Sequence, residues 1–492
     1  MALPQPHDNH RASGTSLERL CFVLWILRVT IIVLLNEIQY LRKRLSSFEK
    51  DSSASHKPLS SDGFRKKRGS PNRGASGRKP GGQKGHPGKA RVMALPSQVS
   101  QTIPHKLQSC KKCGISLSES HESTPVGKHQ VWEIPEIKPS VIEHVFYRTT
   151  CSCGRKDRPD VPEWMYSGTG ENLQALIAYL SVEGKLSRRN LQSILGNVFH
   201  VPLALGAIQN RLEDTSRILQ PACNEIEDEL TNQNVINIDE TSYPHNKSLT
   251  WLWAFVTSSF AFFTIQATRS SQVIRTVLGE AFDGIIISDR FSAYLKYHKD
   301  RARGLLQLCW AHIIRDVKAL STETAYGSTK PFSILMRQRI GAVFRVWYAH
   351  KYHTMSRERL IAQAQPLLQE MRTFLENNLH APSPPVSRFS RQLLKKWEHL
   401  FVFISHEEVE PTNNLAERTL RPGVLSRKIS YCTRSIKGQI LRARLLTVWQ
   451  SCRMQNRNSL DFFRQAIHAH RHHLTMPSLL PQHEYTNTHL AA

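Results

Sequence analysis

Residues 234–239, NVINID, are a short run of Val and Ile ending on an aspartate, and their place at the head of a series of apolar segments decides the fold. A run of this length between polar residues reads as a buried strand whose last residue, Asp239, emerges at a sheet edge. Residues 249–259, LTWLWAFVTSS, and 260–268, FAFFTIQAT, are closely joined β-branched and aromatic runs, which read as a hairpin. Residues 270–282, SSQVIRTVLGEAF, have the spacing of an amphipathic helix, and 283–289, DGIIISD, are a second buried strand ending at Asp289. Residues 303–320, RGLLQLCWAHIIRDVKAL, add a strand and a helix.

This order describes a mixed sheet whose parallel strands are linked by crossover helices, a ribonuclease-H-like arrangement. In it the first strand and the strand after the first helix are neighbours. Asp239 and Asp289 then share the carboxyl ends of adjacent strands, where open α/β sheets place their ligands. Each alone could be a strand-end turn residue. Together they repel unless a cation neutralises them, and hard ions such as Mg²⁺ prefer oxygen ligands. Two such ions, about 3.5–4 Å apart, are a known device for phosphodiester cleavage, and the site needs a third acid.

Residues 410–422, EPTNNLAERTLRP, offer it. Asn414 and Glu417 also fit a capping box, so Glu417 is either a helix cap or the third ligand. Glu407, Glu408 and Glu410 lie close by, but the Asn-Asn turn favours Glu417, one turn into a short helix beside the sheet edge. Arg418, Arg421, Arg427 and Lys428 could hold phosphates or form a general basic face. His312 and Arg315 begin the helix after a core strand, near the site or as part of a cap. Residues 321–405 show little strand signal and read as a helical insertion.

The rest of the chain points to a polyanion. Lys and Arg number 66 against 40 Asp and Glu, a net charge of +26, and nucleic acid is the usual partner for such an imbalance. Nine cysteines in 492 residues do not suggest a secreted disulfide scaffold and suit a reducing cytoplasm. Leu17, Leu20, Leu24, Leu27, Ile31, Leu34, Ile38, Leu41 and Leu45 alternate by three and four, a coiled-coil seam. The apolar stretch at 21–35 is short for a membrane span and has Arg28 at its centre. Residues 51–95 form a basic Ser/Gly/Pro linker in which Arg78, Lys79 and Lys84 are candidate DNA contacts. Cys110-x2-Cys113 and Cys151-x-Cys153 can supply four thiolates to one Zn²⁺, each pair followed by a glycine suited to a tight turn. The stretch between them, including VIEHVFYRTT, has strand-like character. Residues 168–230 are helical, either a connector or a helix-turn-helix. The cluster HAHRHH at 468–473 reads as a solvated tail or a metal ligand set.

The leucine heptads, GRKPGGQKGHPG, the paired cysteines, IDETSY, WLWAFV, FDGIIISDRFSAY, CWAH, EPTNNLAERTLRP and RKISYCTRSIKG occur in register. In these the chain resembles bacterial insertion-sequence transposases of the IS sixty-six family. The resemblance implies a DDE transposase with Asp239, Asp289 and Glu417 as the triad on Mg²⁺ or Mn²⁺. It also implies a structural Zn²⁺ at Cys110, Cys113, Cys151 and Cys153, where Cys151-Ser-Cys153 is narrower than the family's pair. The expected substrates are double-stranded DNA at the element's ends and at the target. A homo-oligomer is expected, with accessory proteins of the same element as further partners, in the cytoplasm at the nucleoid and without a membrane. The rivals are a non-catalytic, zinc-containing architectural DNA-binding protein and a membrane-anchored basic protein using residues 21–35.

The expected organisation is a multidomain α/β chain: a coiled-coil helix at 15–48, the linker at 51–95, a zinc domain at 100–165, and the helical region at 168–230. The core then runs over 231–320, the insertion over 321–405, the end of the core over 406–470, and a tail over 471–492.

Overall fold

A computed structural model describes residues 91–481, apart from 247, 302, 322, 325, 326, 431 and 432, together with Leu24, Leu27, Ile31, Leu35 and Ile38. The linker candidates Arg78, Lys79 and Lys84 lie outside the described residues, as does most of the heptad segment. The five described N-terminal residues are helical and exposed. Among the described residues no helix is long and apolar enough to cross a membrane.

The chain divides into two units, one of Lys66–Val145 with Ile194–Pro202, the other of Met1–Arg65, Phe146–Ser193 and Leu203–Ala492. The division falls between the two cysteine pairs. In the smaller unit, residues 99–145 are largely irregular, with an isolated bridge between Ser109 and Ser116. The strand expected over VIEHVFYRTT shrinks to its last two residues, β1 (Thr149–Thr150), paired with β2 (Lys156–Asp157). Val141, Ile142 and Val145 are exposed, with neither a ladder nor a core to hold them extended.

The larger unit is a mixed α/β assembly. Helices α1 (Glu171–Val182), α2 (Arg188–Asn197, which ends in the smaller unit), α3 (Leu205–Ile218) and α4 (Gln220–Glu229) lead into strand β3 (Val235–His245). Strands β4 (Ser248–Val256) and β5 (Ala261–Gln266) form the expected hairpin, and β4 also pairs antiparallel with β3. Then α5 (Ser271–Leu278), β6 (Ile285–Ser288), α6 (Ser292–Asp300), β7 (Leu305–Leu308) and α7 (Trp310–Ala319) alternate. The sheet order is β5-β4-β3-β6-β7, with β3, β6 and β7 parallel and the hairpin antiparallel.

After a small hairpin, β8 (Glu323–Thr324) and β9 (Gly327–Ser328), come the helices α8 (Lys330–Lys351), α9 (Arg357–Glu376) and α10 (Pro384–Leu394). A short helix α11 (Val402–Ser405) precedes α12 (Asn414–Ser430), α13 (Ile436–Met454) and α14 (Ser459–Arg471).

Both sheet edges are covered, which removes the hazard of unpaired strand groups. At β5 the main-chain N–H groups of Ala261 and Phe263 donate to Ser451 Oγ (3.1 Å) and Thr447 Oγ1 (3.0 Å) of α13. At β7 the buried Gln307 donates to Leu400 O and accepts from Phe403 N, fastening the chain returning from the helical insertion to the sheet. Trp310 Nε1 donates to the same Leu400 carbonyl over 2.6 Å.

One expectation needs correction. Asp239 is not the last residue of its strand: β3 continues to His245, because β4 pairs with it from Asn237 through His245. The parallel ladder with β6 stops earlier, at Asn237↔Ile287. Asp239 therefore lies inside β3, two residues beyond the point where its parallel neighbour's pairing ends, and Asp289 lies two residues beyond Ile287.

Candidate active site

Successive residues of β3 point to opposite faces. Glu240 faces α6: it is buried, accepts a hydrogen bond from Tyr294 Oη, and is paired with Arg269 at 2.5 Å. The Arg269 guanidinium is sandwiched between Trp251 (4.8 Å) and Phe291 (3.8 Å). Asp239 and Thr241 share the other face, which α12 covers. Thr241 pairs with Leu252 across the hairpin, and Gly423 of α12 lies against Leu252 so closely that a Cβ there would meet Leu252 Cδ2 at 2.4 Å.

Asn413 positions that helix. Its side chain donates to Ile238 O (2.7 Å) and accepts from Asn237 Nδ2 (2.9 Å), while its main-chain N–H donates to Cys309 Sγ (3.1 Å). Pro411 O accepts from Trp310 N at 2.9 Å. The chain entering α12 is thus tied to β3 and to the end of β7 at once. The capping box is displaced by this arrangement. Asn414 is the first residue of α12 rather than the one ahead of it, and the residue ahead, Asn413, has its side chain engaged by β3.

Glu417, in the first turn of α12, stands 3.8 Å from both His312 Nδ1 and Arg315 Nη2 of α7, with Oε1. That separation is too long for a hydrogen bond. The Oε1 atom is buried and has no hydrogen-bond partner. Burial raises the Glu417 pKa; Arg315 opposes the rise, Asp289 adds to it, and Arg418 opposes it. Asp239 is raised well above the ordinary carboxylate range by burial, then by the negative charges of Glu240, Asp289 and Glu417. Asp289 accepts from Phe291 N at 2.8 Å at the start of α6.

No oxygen taken from each of Asp239, Asp289 and Glu417 brings all three within 4.8 Å of one another. Among the described residues the potential ligand groups that come so close are Cys309–His312–Glu417 and Glu171–His468–His472. The negative charge of Asp289 helps to raise both Asp239 and Glu417, and that of Glu417 helps to raise Asp239, so the three carboxylates are near one another, yet separated, as mutually repelling anions should be. An Oε1 without a hydrogen bond, offset only in part by Arg315 and facing the charge of Asp289, fits a divalent cation.

The basic candidates divide. Arg418, Arg421 and Lys428 are exposed along one side of α12. Arg427 turns inward and donates to the main-chain oxygen of Ser242 and to its Oγ (2.8 Å), so it belongs to the packing of α12 on β3. Sequence reasoning missed Lys396, after α10. Its pKa is lowered by burial and by Arg290, while Asp289 opposes that shift. It also missed Cys309 as the anchor of Asn413 and Arg290 as the ion-pair partner of Asp316.

The two cysteine turns are built alike. Cys110 N donates to Ile115 O and Gly114 N to Cys110 O, both at 2.9 Å. Cys151 N donates to Arg155 O (2.8 Å) and Gly154 N to Cys151 O (2.9 Å). Gly114 and Gly154 take the left-handed φ values of 76° and 81° that favour glycine. The pattern survives the missing residue in the second pair. Main-chain N–H groups of Cys113 and Lys112 hold the Cys110 thiol below its ordinary pKa, and the main chain of Cys153 does the same for Cys151.

An uncharacterized protein of Sinorhizobium fredii (strain NBRC 101917 / NGR234), y4qI, is 25% identical to this chain over 254 residues, 46% of each. The chain thus spans under half the length of that curated relative. Residues 167–440, more than half of the chain and including Asp239, Asp289 and Glu417, match the family described as Transposase IS66 family. The chain belongs to the IS66 transposase family.

Proposed function

We propose that the protein binds the terminal inverted repeats of an insertion sequence and catalyses divalent-metal-dependent DNA strand cleavage and strand transfer. Asp239, Asp289 and Glu417 are its catalytic carboxylates, on a ribonuclease-H-like core. The sheet order β5-β4-β3-β6-β7 supports that reading of the fold. The observation that carries the function is the Asn413 tie, which joins the turn before Glu417 to the main chain one residue before Asp239. Mg²⁺ or Mn²⁺, when bound, would neutralise the three carboxylates and acidify an attacking water.

The chain's own groups do the rest. Arg315 and His312 stand 3.8 Å from Glu417 Oε1, where the Arg315 charge attracts the carboxylate without a direct hydrogen bond. Arg418, Arg421 and Lys428 offer cations to the phosphates along the exposed side of α12, and Lys396 offers one beside Asp289. Each cysteine turn, with its lowered thiol pKa at Cys110 or Cys151, supports thiolate binding of a structural Zn²⁺, by Cys110 and Cys113 in the one turn and by Cys151 and Cys153 in the other. The heptad segment supplies self-association, and the basic linker a second DNA contact. Incubating full-length protein and Mg²⁺ with labelled element ends tests the assignment: strand cleavage at the end supports it. Binding without cleavage would return the protein to the architectural class.

A further inference from the structure

A second ligand cluster lies apart from the carboxylates. His468 and His472 are one helical turn apart at the end of α14, with ring centroids 4.4 Å apart. Both face Glu171, the first residue of α1: His468 Nδ1 is 2.9 Å from its Oε2, and His472 Nε2 is 3.2 Å from its Oε1. One ligand atom from each of the three lies within 4.8 Å of the other two. Tetrahedral zinc, with bonds of about 2.0–2.1 Å, sets its ligand atoms roughly 3.3 Å apart. The two nitrogen-to-oxygen separations, each to a different oxygen of Glu171, are within a few tenths of an ångström of that spacing, and half of each histidine side chain is exposed, leaving room for a water as fourth ligand.

The two helices are already fixed to one another there. Arg471 donates to Thr169 O (2.9 Å) and to Gln174 Oε1 (2.6 Å), so the donor set is held by its own packing. Two imidazoles and a carboxylate suit a borderline ion such as Zn²⁺ better than Mg²⁺.

We propose that Glu171, His468 and His472 form a zinc site that clips the C-terminal helix α14 to α1, separate from the catalytic carboxylates and from the cysteine turns. In the absence of zinc the three residues fall back on histidine–carboxylate pairing, which holds the same helices less firmly.

Co²⁺ titration of the full chain, with excess Mg²⁺ present to occupy oxygen-only sites, tests this. Thiolate sites give a sulfur-to-metal charge-transfer band, whereas a nitrogen and oxygen site gives d–d bands alone. The His468→Asn/His472→Asn variant is expected to bind one equivalent fewer, with its charge-transfer band intact. Glu171→Gln, a milder change, should weaken the same equivalent without moving the band. Saturating Zn²⁺ should raise the Tm of a Cys110→Ser/Cys151→Ser protein by about 3 °C or more, and should not do so once both histidines are replaced. Unchanged stoichiometry in the double histidine variant would overturn the proposal. So would a zinc-induced rise in Tm that is the same with and without the histidines.

Discussion

Asn413 donates its side-chain amide to the carbonyl of Ile238 over 2.7 Å, although 175 residues separate them. Ile238 immediately precedes Asp239, and Asn413 stands one helical turn before Glu417. This buried hydrogen bond therefore ties together the chain beside two acids that come from opposite ends of the core.

Replacing Asn413 with Ala removes that bond and leaves the Ile238 carbonyl and Asn237 amide unsatisfied. The expected loss of stability is about 1–3 kcal/mol, read by urea unfolding. Strand cleavage should fall by roughly 100-fold, because a shift of about 1 Å in a reacting group costs that much. DNA binding by the exposed side of α12 should change little, and gel shift checks it.

Gly423→Ala drives a methyl group into Leu252, which is fully buried. Overpacking of this kind costs about 1–3 kcal/mol. Adding Leu252→Val should recover part of the loss, and a double-mutant cycle on thermal unfolding measures the coupling.

Arg269→Ala leaves Glu240 without its cation in a position where its side chain has no solvent exposure. Stripping one partner from a buried pair costs about 3–5 kcal/mol. Chemical denaturation of the variant beside wild type should show a lower midpoint with an unchanged slope.

Asp239 carries a pH signature. Its pKa in the folded protein is raised above the ordinary 3.8 by burial and by Glu240, Asp289 and Glu417, so the native state holds the extra proton. Its contribution to stability is fully present below the unfolded pKa and is lost as pH rises through the folded one. In chelator, wild type should lose Tm more steeply than Asp239→Asn as pH rises above the ordinary carboxylate range. At the higher pH the variant should be the more stable by about 1 kcal/mol. Added Mg²⁺ should shrink the difference, and thermal scans across pH check both.

The sheet was legible because its strands are short apolar runs whose order admits few topologies. Asp289 sat where the run DGIIISD ended. Asp239 was wrongly placed at the strand's end, since residues 240–245 owe their strand conformation to β4 rather than to their own pattern. Asn413 looked like half of an Asn-Asn turn because its partner is a distant main-chain carbonyl, which no local spacing can reveal. The hydrogen bonds of Arg427 were hidden for the same reason: charge counts it with Arg418, Arg421 and Lys428, while Ser242 accepts from its guanidinium. His312 and Arg315 were rightly placed at the head of α7, but only the fold brings Glu417 to them.

The most direct test is cleavage of labelled element ends by full-length protein in Mg²⁺, comparing wild type with Asp239→Asn, Asp289→Asn and Glu417→Gln. Each substitution should abolish cleavage while DNA binding and folding persist, Glu417→Gln included, since glutamine matches glutamate in size and helix propensity but is a poor ligand for a hard cation. Cleavage by Glu417→Gln at the wild-type rate would contradict the account and leave Glu417 a structural residue of α12.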